Sequence, residues 1–156
     1  MLMPGAFGLT TPKDLLGKLN RELEKLRSSP NDSDIALNFF VTAEHMLDWL
    51  HPGNANQNIR ESLRNGEPLL QVISHLANSS KHFDKLAPHH KSIEQSGESG
   101  GYFGASYFGA RYFGSRYFGG RRLLIKFKGD AISHFGDSSP VLEVAEKVYA
   151  FWQARC

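Results

Sequence analysis

The apolar residues of the first half of the chain recur at helical intervals. Leu15, Leu19, Leu23 and Leu26 fall on one stripe of a helix predicted over residues 11–28. Thr11 is placed to cap it, Pro12 suits its first turn, and Asp14 stands three residues past the cap as an acidic capping partner. Glu22, Glu24, Lys25 and Arg27 read as its solvated face. A second helix is predicted from Asp34 to Leu50, capped by Asp32 or Ser33 and stopped by His51-Pro52-Gly53. Ile35, Phe39, Ala43, Met46 and Leu50 take one side of it, and Leu37, Phe40, Val41 and Leu47 most of the other. A helix apolar nearly all round belongs in the middle of a bundle.

Residues 54–66 are polar, with a short helix expected around Ile59–Arg64 that ends at Gly66. Glu67-Pro68 opens a further helix to about Leu86, with Leu69, Val72, Ile73, Leu76, Ser80 and Phe83 as its stripe and Ala87-Pro88 as its stop. Residues 88–101 read as a polar linker. Leu123–Phe127 alternates as a half-buried strand does, Lys128-Gly129-Asp130 reads as a turn, and Ala131–Phe135 as the returning strand. Ser139-Pro140 caps a last helix bearing Leu142, Ala145, Tyr149 and Trp152. The fold expected is α+β and mainly α. It is a bundle of four to five helices with a small hairpin or sheet formed by residues 102–121 together with 123–135. Residues 1–10 form a tail, 11–87 the bundle, and 122–156 complete the same domain.

Between the linker and the strand the hydropathy pattern changes character. Residues 102–121 read YFGAS-YFGAR-YFGSR-YFGGR, four near-copies of one pentapeptide that hold half of the chain's Phe and Tyr residues. A period of five matches neither an amphipathic helix nor a strand, in which successive units would alternate faces. Four readings follow: a hairpin packed on the helices, a protein-contact surface, a nucleic-acid-binding arm, or one coil of a pentapeptide solenoid. Eight rings left wholly in water would make a larger apolar patch than a soluble monomer normally carries. The repeat is therefore expected to be extended and partly packed, with its arginines along the exposed edge. Tyr107, Arg111, Tyr112, Arg116, Tyr117 and Arg121 are its candidate contact residues, with protein anchors and base-stacking both within the chemistry of Tyr and Arg.

The formal net charge is only +2, but it is unevenly placed. From Gly97 to Lys128 the chain carries Arg111, Arg116, Arg121, Arg122, Lys126 and Lys128 against the single acid Glu98, so the remainder is slightly acidic. Cys156 is the only cysteine, which excludes an intrachain disulfide and a cysteine-based zinc site. With neither a signal-peptide pattern nor an apolar run of spanning length, a cytoplasmic protein off the membrane is expected.

Asn38, Thr42, His45 and Trp49 share one stripe of the second helix, with Asp48 beside it. His75, Ser79 and His82 share a face of the later helix, with Lys81 off it. Polar residues on an apolar helix are either hydrogen-bonded or face a cleft. If the two faces met, His45, Asp48, His75 and His82 would cluster, an arrangement suited to general acid–base chemistry, with His45, Asp48 and His82 as the candidate catalytic residues. The histidines lack metal-pair spacing, and no cofactor motif is present, so neither a metal nor a cofactor is expected.

Ala36–Trp49 (ALNFFVTAEHMLDW) and Leu76–Phe83 (LANSSKHF), with the later strand, Gly-Asp turn and Phe151-Trp152 helix, resemble small bacterial and phage helical proteins related to HEPN-type domains. The resemblance covers roughly residues 32–155, with a gap at the repeat. It implies a helical bundle, a defence or toxin–antitoxin setting, and Asn38, His45, Asp48, Lys81 and His82 as residues of interest. Many such domains are ribonucleases whose motif is an arginine, four to six residues and a histidine; no arginine precedes His45, His75 or His82 at that spacing. The resulting expectation is a binding or accessory protein more than an enzyme, with a protein partner or self-association through the repeat. The alternatives are a ribonuclease-like toxin using a His/Asp cleft and binding of RNA or other single-stranded nucleic acid by the repeat.

Overall fold

The computed structural model describes residues 5–79, 93–99 and 122–156. Among them are six helices and a three-stranded sheet: α1 (Pro12–Ser28), α2 (Ser33–Leu50), α3 (Gln57–Gly66), α4 (Pro68–Ser79), β1 (Ile93–Ser99), β2 (Arg122–Phe127), α5 (Ala131–Phe135), β3 (Ser138–Pro140) and α6 (Val141–Gln153). The expected mainly helical α+β fold is what is found. The part of the fourth helix expected beyond Ser79, the tail before Gly5, and the repeat lie outside the described residues.

Local chemistry sets the helix ends. The Thr11 hydroxyl accepts from the Asp14 N–H, and the Asp14 carboxylate accepts from the Thr10 and Thr11 N–H groups, which closes a capping box at α1. Those hydrogen bonds, the Thr10 N–H first, hold the Asp14 carboxyl down at about 2. Asp32 caps α2 by accepting from the Asp34 and Ile35 N–H groups. At α6 the expectation fails in detail. Pro140 occupies the cap position without a side-chain bond, and the Ser139 hydroxyl instead lies 3.0 Å from the Glu143 carboxylate.

α2 is the hub. Its Phe39, Ala43 and Met46 are fully buried, and it packs against α1, α4 and α6. Leu19, Leu23 and Leu26 of α1, Val72 and Ile73 of α4, and Val144, Ala145, Val148 and Trp152 of α6 complete the same core, with Ile125 and Phe127 of β2. Phe39 and Phe40 meet edge to face at 5.2 Å. Two polar ties cross the helices. Lys18 Nζ donates to the buried Thr42 hydroxyl at 2.7 Å, and Arg27 grips Glu146 with two bonds of 2.7 Å. Glu22, expected in solvent, is buried between Lys18 and Lys25, each 3.5 Å away.

The sheet differs from expectation in both partners of β2. Its order is β1-β2-β3, all antiparallel. The stretch read as a linker, 88–101, contains β1. This segment has one apolar residue, Ile93, and becomes a strand because it lies along β2, an influence that its own composition does not reveal. Ala131–Phe135 is a helix and not the returning strand. Ala131 and Phe135, four residues apart, turn toward the core together, and Phe135 stacks 5.1 Å from Phe127. Gly129 (φ 59°) admits the tight turn before α5, and Gly136 (φ 82°) the sharp exit after it, both in the left-handed region that favours glycine. The strand that does return is the short β3, with the Phe127 N–H donating to the carbonyl of Asp137, the residue just before it.

Replacing the central ring, Phe39→Ala, is expected to cost ~3–5 kcal/mol in chemical denaturation. A loss below ~1 kcal/mol would make α2 peripheral. The Asp14 carboxyl is lowered on folding, so its stabilisation is present above its ordinary value of 3.8 and is lost as pH falls toward about 2. Asp14→Asn should accordingly flatten that acid limb of the stability profile while leaving the wild-type slope elsewhere.

Candidate functional site

Two arrangements on this frame carry polar chemistry, and the first is where β1 and β2 meet. Their register runs from Ile93 opposite Phe127 to Ser99 opposite Arg122, with an irregularity between Ile93 and Gln95. Residues 100–121 therefore connect two strand ends that are paired with each other. The chain leaving that connection is also pinned to the helical body: the Leu123 N–H donates to Asn31 Oδ1 in the α1–α2 turn at 2.9 Å. β2 alternates strictly. Leu123, Ile125 and Phe127 are buried against the helices, whereas Arg122 and Lys126 are exposed on the other face with Leu124 half-buried between them.

Beneath the inner face lies a cavity of about 200 Å³ with mostly apolar walls, among them Leu37, Phe40, Leu76, Leu123, Ile125 and Val141. The hydroxyl residues Ser33, Ser79 and Ser96 also border it.

The second arrangement joins α2 to α3. Glu44 and Asp48 stand one turn apart on α2, Arg60 and Arg64 one turn apart on α3, and the pairs match in antiparallel order. Glu44 Oε1 lies 2.6 Å from Arg64 Nη2, and Asp48 Oδ1 lies 3.3 Å from Arg60 Nε. Arg60 also donates to the carbonyls of His51 and Gly53, so it holds the end of α2 and the turn after it. Burial raises the Glu44 carboxyl. Its attraction to Arg64 opposes that rise, the nearby Asp48 charge adds to it, and a hydrogen bond from Ser74 of α4 lowers it. α3 has no buried residue, and Ile59 and Leu63 are exposed on it. Ion pairs, more than apolar burial, hold this helix to the body.

The polar residues singled out on α2 do not share one environment. Asn38 and His45 are exposed, and Asp48 is exposed and committed to Arg60. Thr42 is buried against Lys18, and Trp49 is half-buried. A side chain on Gly5 would approach the Trp49 ring to 3.1 Å and overlap the Leu9 carbonyl, so the N-terminal loop passes close to Trp49 only because this residue is glycine. His75 is buried in α4. Lys81 and His82 lie outside the described residues, as do Tyr107, Arg111, Tyr112, Arg116, Tyr117 and Arg121. Among the described residues no three His, Cys, Asp or Glu side chains gather as a metal site would require.

Sequence reasoning passed over Glu44, Arg60 and Arg64. The signal was present. A carboxylate inside an almost wholly apolar helix requires a partner, and two acids at i, i+4 followed across a short turn by two arginines at i, i+4 supply it.

Arg64→Ala should strip the counter-charge from a largely buried carboxylate and cost ~3 kcal/mol. Glu44 carries the opposite pH signature to Asp14. The folded state holds its proton more tightly than the unfolded chain, so its contribution declines as pH rises from the ordinary value of 4.5 toward the raised one. Glu44→Gln should remove that decline, measured as stability against pH. An unchanged slope would mean that Glu44 is not the group responsible.

No family model matches this chain, and neither a curated protein nor a solved structure matches it.

Proposed function

We propose that the chain is a binding protein whose helical body presents the Tyr/Phe/Gly/Arg repeat as its contact surface. The observation that carries this reading is the register of Ser99 opposite Arg122, which makes the whole repeat the connection of one β-hairpin. A contact segment gains from an anchored base. Fixing both ends lowers the ordering cost on binding, and the Asn31 bond to Leu123 ties that base to the α1–α2 turn. The composition of the repeat supports contact as well. Tyr and Arg are the side chains that most often anchor interfaces, because each offers a large rigid surface with a polar end. Among the described residues, α1, α2, α4 and α6 share one core.

The reading also accommodates the placement of the α2 residues. His45 and Asn38 are exposed, and Asp48 is engaged by Arg60 in fixing α3. These are the attributes of an ordered surface beside a structural ion pair. A defence setting for the protein, implied by the resemblance of α2 to HEPN-type helices, belongs to the same proposal.

Replacing residues 100–121 by an Asn-Gly turn tests it, since that dipeptide closes a two-residue hairpin without help. The variant should melt within a few degrees of the wild type and lose association. The readouts are sedimentation for self-association and fluorescence anisotropy with labelled oligonucleotides. Collapse of the helical core in the variant would make the repeat part of the body, and full retention of every association would remove it as a contact surface.

A further inference from the structure

We infer that the cavity beneath the inner face of the sheet is a binding site for a small neutral alcohol or phenol, an apolar body of about one ring carrying one hydroxyl group. The site owes nothing to the repeat. Ser33, Ala36, Leu37 and Phe40, at helical spacing on α2, form one wall. Leu123 and Ile125, on the inner face of β2, form another, and the end of α4 adds Ser79.

Size selects the body of the ligand. Protein interiors rarely keep a void larger than a water molecule. A space of ~150 Å³ walled by Leu, Ile and Phe stays dry and admits benzene. The cavity here, about 200 Å³, has room for one ring with a short substituent. Its apolar residues Ala36, Phe40 and Ile125 are buried and offer water no side-chain partner. Small residues keep the space open: Ala36 on α2 and Ser79 on α4 stand where larger side chains would fill it.

The polar groups select its head. Ser33 and Ser96 are exposed and mark the mouth, with Ser79 half-buried. Ser96 is registered opposite Ile125, so the two side chains share the inner face of the sheet and Ser96 borders the apolar interior. Neither the Ser33 nor the Ser96 hydroxyl is hydrogen-bonded to a described residue. Ser79 Oγ donates to the Leu76 carbonyl at 2.6 Å and keeps its lone pairs free to accept. Hydroxyls donate and accept, and so match a ligand hydroxyl that does the same. None of the described lining residues is charged, so an ionic head group would lose hydration without gaining a counter-ion. The acids flanking Ser33 supply none: Asp32 accepts from the Asp34 and Ile35 N–H groups, and Asp34 is not on the cavity wall.

The test titrates the full chain with three matched probes, toluene, benzyl alcohol and benzoate, and follows the methyl NMR signals of Leu37, Leu123 and Ile125. Benzyl alcohol should shift them in a saturable way. It should bind at least as tightly as toluene, which is the better ligand of a void that offers no polar partner. Benzoate should bind about 10-fold more weakly, because its charge finds no counter-ion. Ser33→Ala with Ser96→Ala should weaken benzyl alcohol by about 3- to 10-fold, as expected for a lost neutral hydrogen bond, and leave toluene unchanged.

Ala36→Leu should fill the space, abolish binding and leave the melting temperature unchanged or higher. Ser79→Leu fills it from α4 and carries the same expectation, so the test survives if the first variant does not fold. The inference is overturned if benzyl alcohol leaves the methyl signals unmoved, if toluene or benzoate binds more tightly than benzyl alcohol, if the double serine variant binds as the wild type does, or if binding persists in a folded cavity-filling variant.

Discussion

α2 gives one polar stripe to water, through Asn38, His45 and Asp48, and buries the broad apolar face opposite; the rest of the fold answers that constraint. Phe39, Ala43 and Met46 are sealed from solvent, Phe40 and Leu47 nearly so, and these residues together make one broad apolar face of the helix. α1, α4 and α6 each take a share, and the inner residues of β2 join α6 in the same core. Because burial of this kind contributes roughly 25 cal/mol per Å² of apolar surface, no part of that apolar face can be left open cheaply. The order of elements follows: helices on either side in sequence supply two walls, and the C-terminal half returns to supply another.

How much of this was legible depended on whether a segment carried its own signal. α1 and α2 could be read almost residue by residue, because their stripes, caps and stops all agree. β2 was legible for the same reason, its alternation being intact from Leu123 to Phe127. β1 was not. A segment such as Glu94-Gln-Ser-Gly-Glu-Ser99 has nothing in its composition to make it a strand, and its pairing comes wholly from β2. α5 was misread because five residues hold too little pattern to separate a spacing of two from one of four. At the candidate site, the basic excess around the repeat was plain from composition, while its hairpin base was hidden with β1. The stripe of Asn38, Thr42, His45 and Trp49 was correct as geometry and misleading as chemistry, since neighbouring elements treat each member differently.

The α2–α3 contact shows the opposite economy from the core. α3 buries no side chain and leaves Ile59 and Leu63 in solvent, yet it keeps a defined place. Two matched ion pairs and the Arg60 bonds to His51 and Gly53 specify direction and register where apolar packing would specify only proximity. The charged network thus contributes orientation more than stability, in keeping with the small net value of most ion pairs once desolvation is counted.

The hairpin register has a consequence for how such a repeat can change over generations. Residues 100–121 join Ser99 to Arg122, strand positions that already face each other, so the register of β1 and β2 does not depend on how many pentapeptides lie between them. Gaining or losing a unit leaves Ser99 opposite Arg122 and shifts no residue from one face of β2 to the other. Closing a longer flexible loop has a cost that rises with the logarithm of its length and reaches about 0.6 kcal/mol for a full doubling. Each added unit brings another pair of rings. A near-identical tandem array is what replication slippage leaves behind when the scaffold does not resist it.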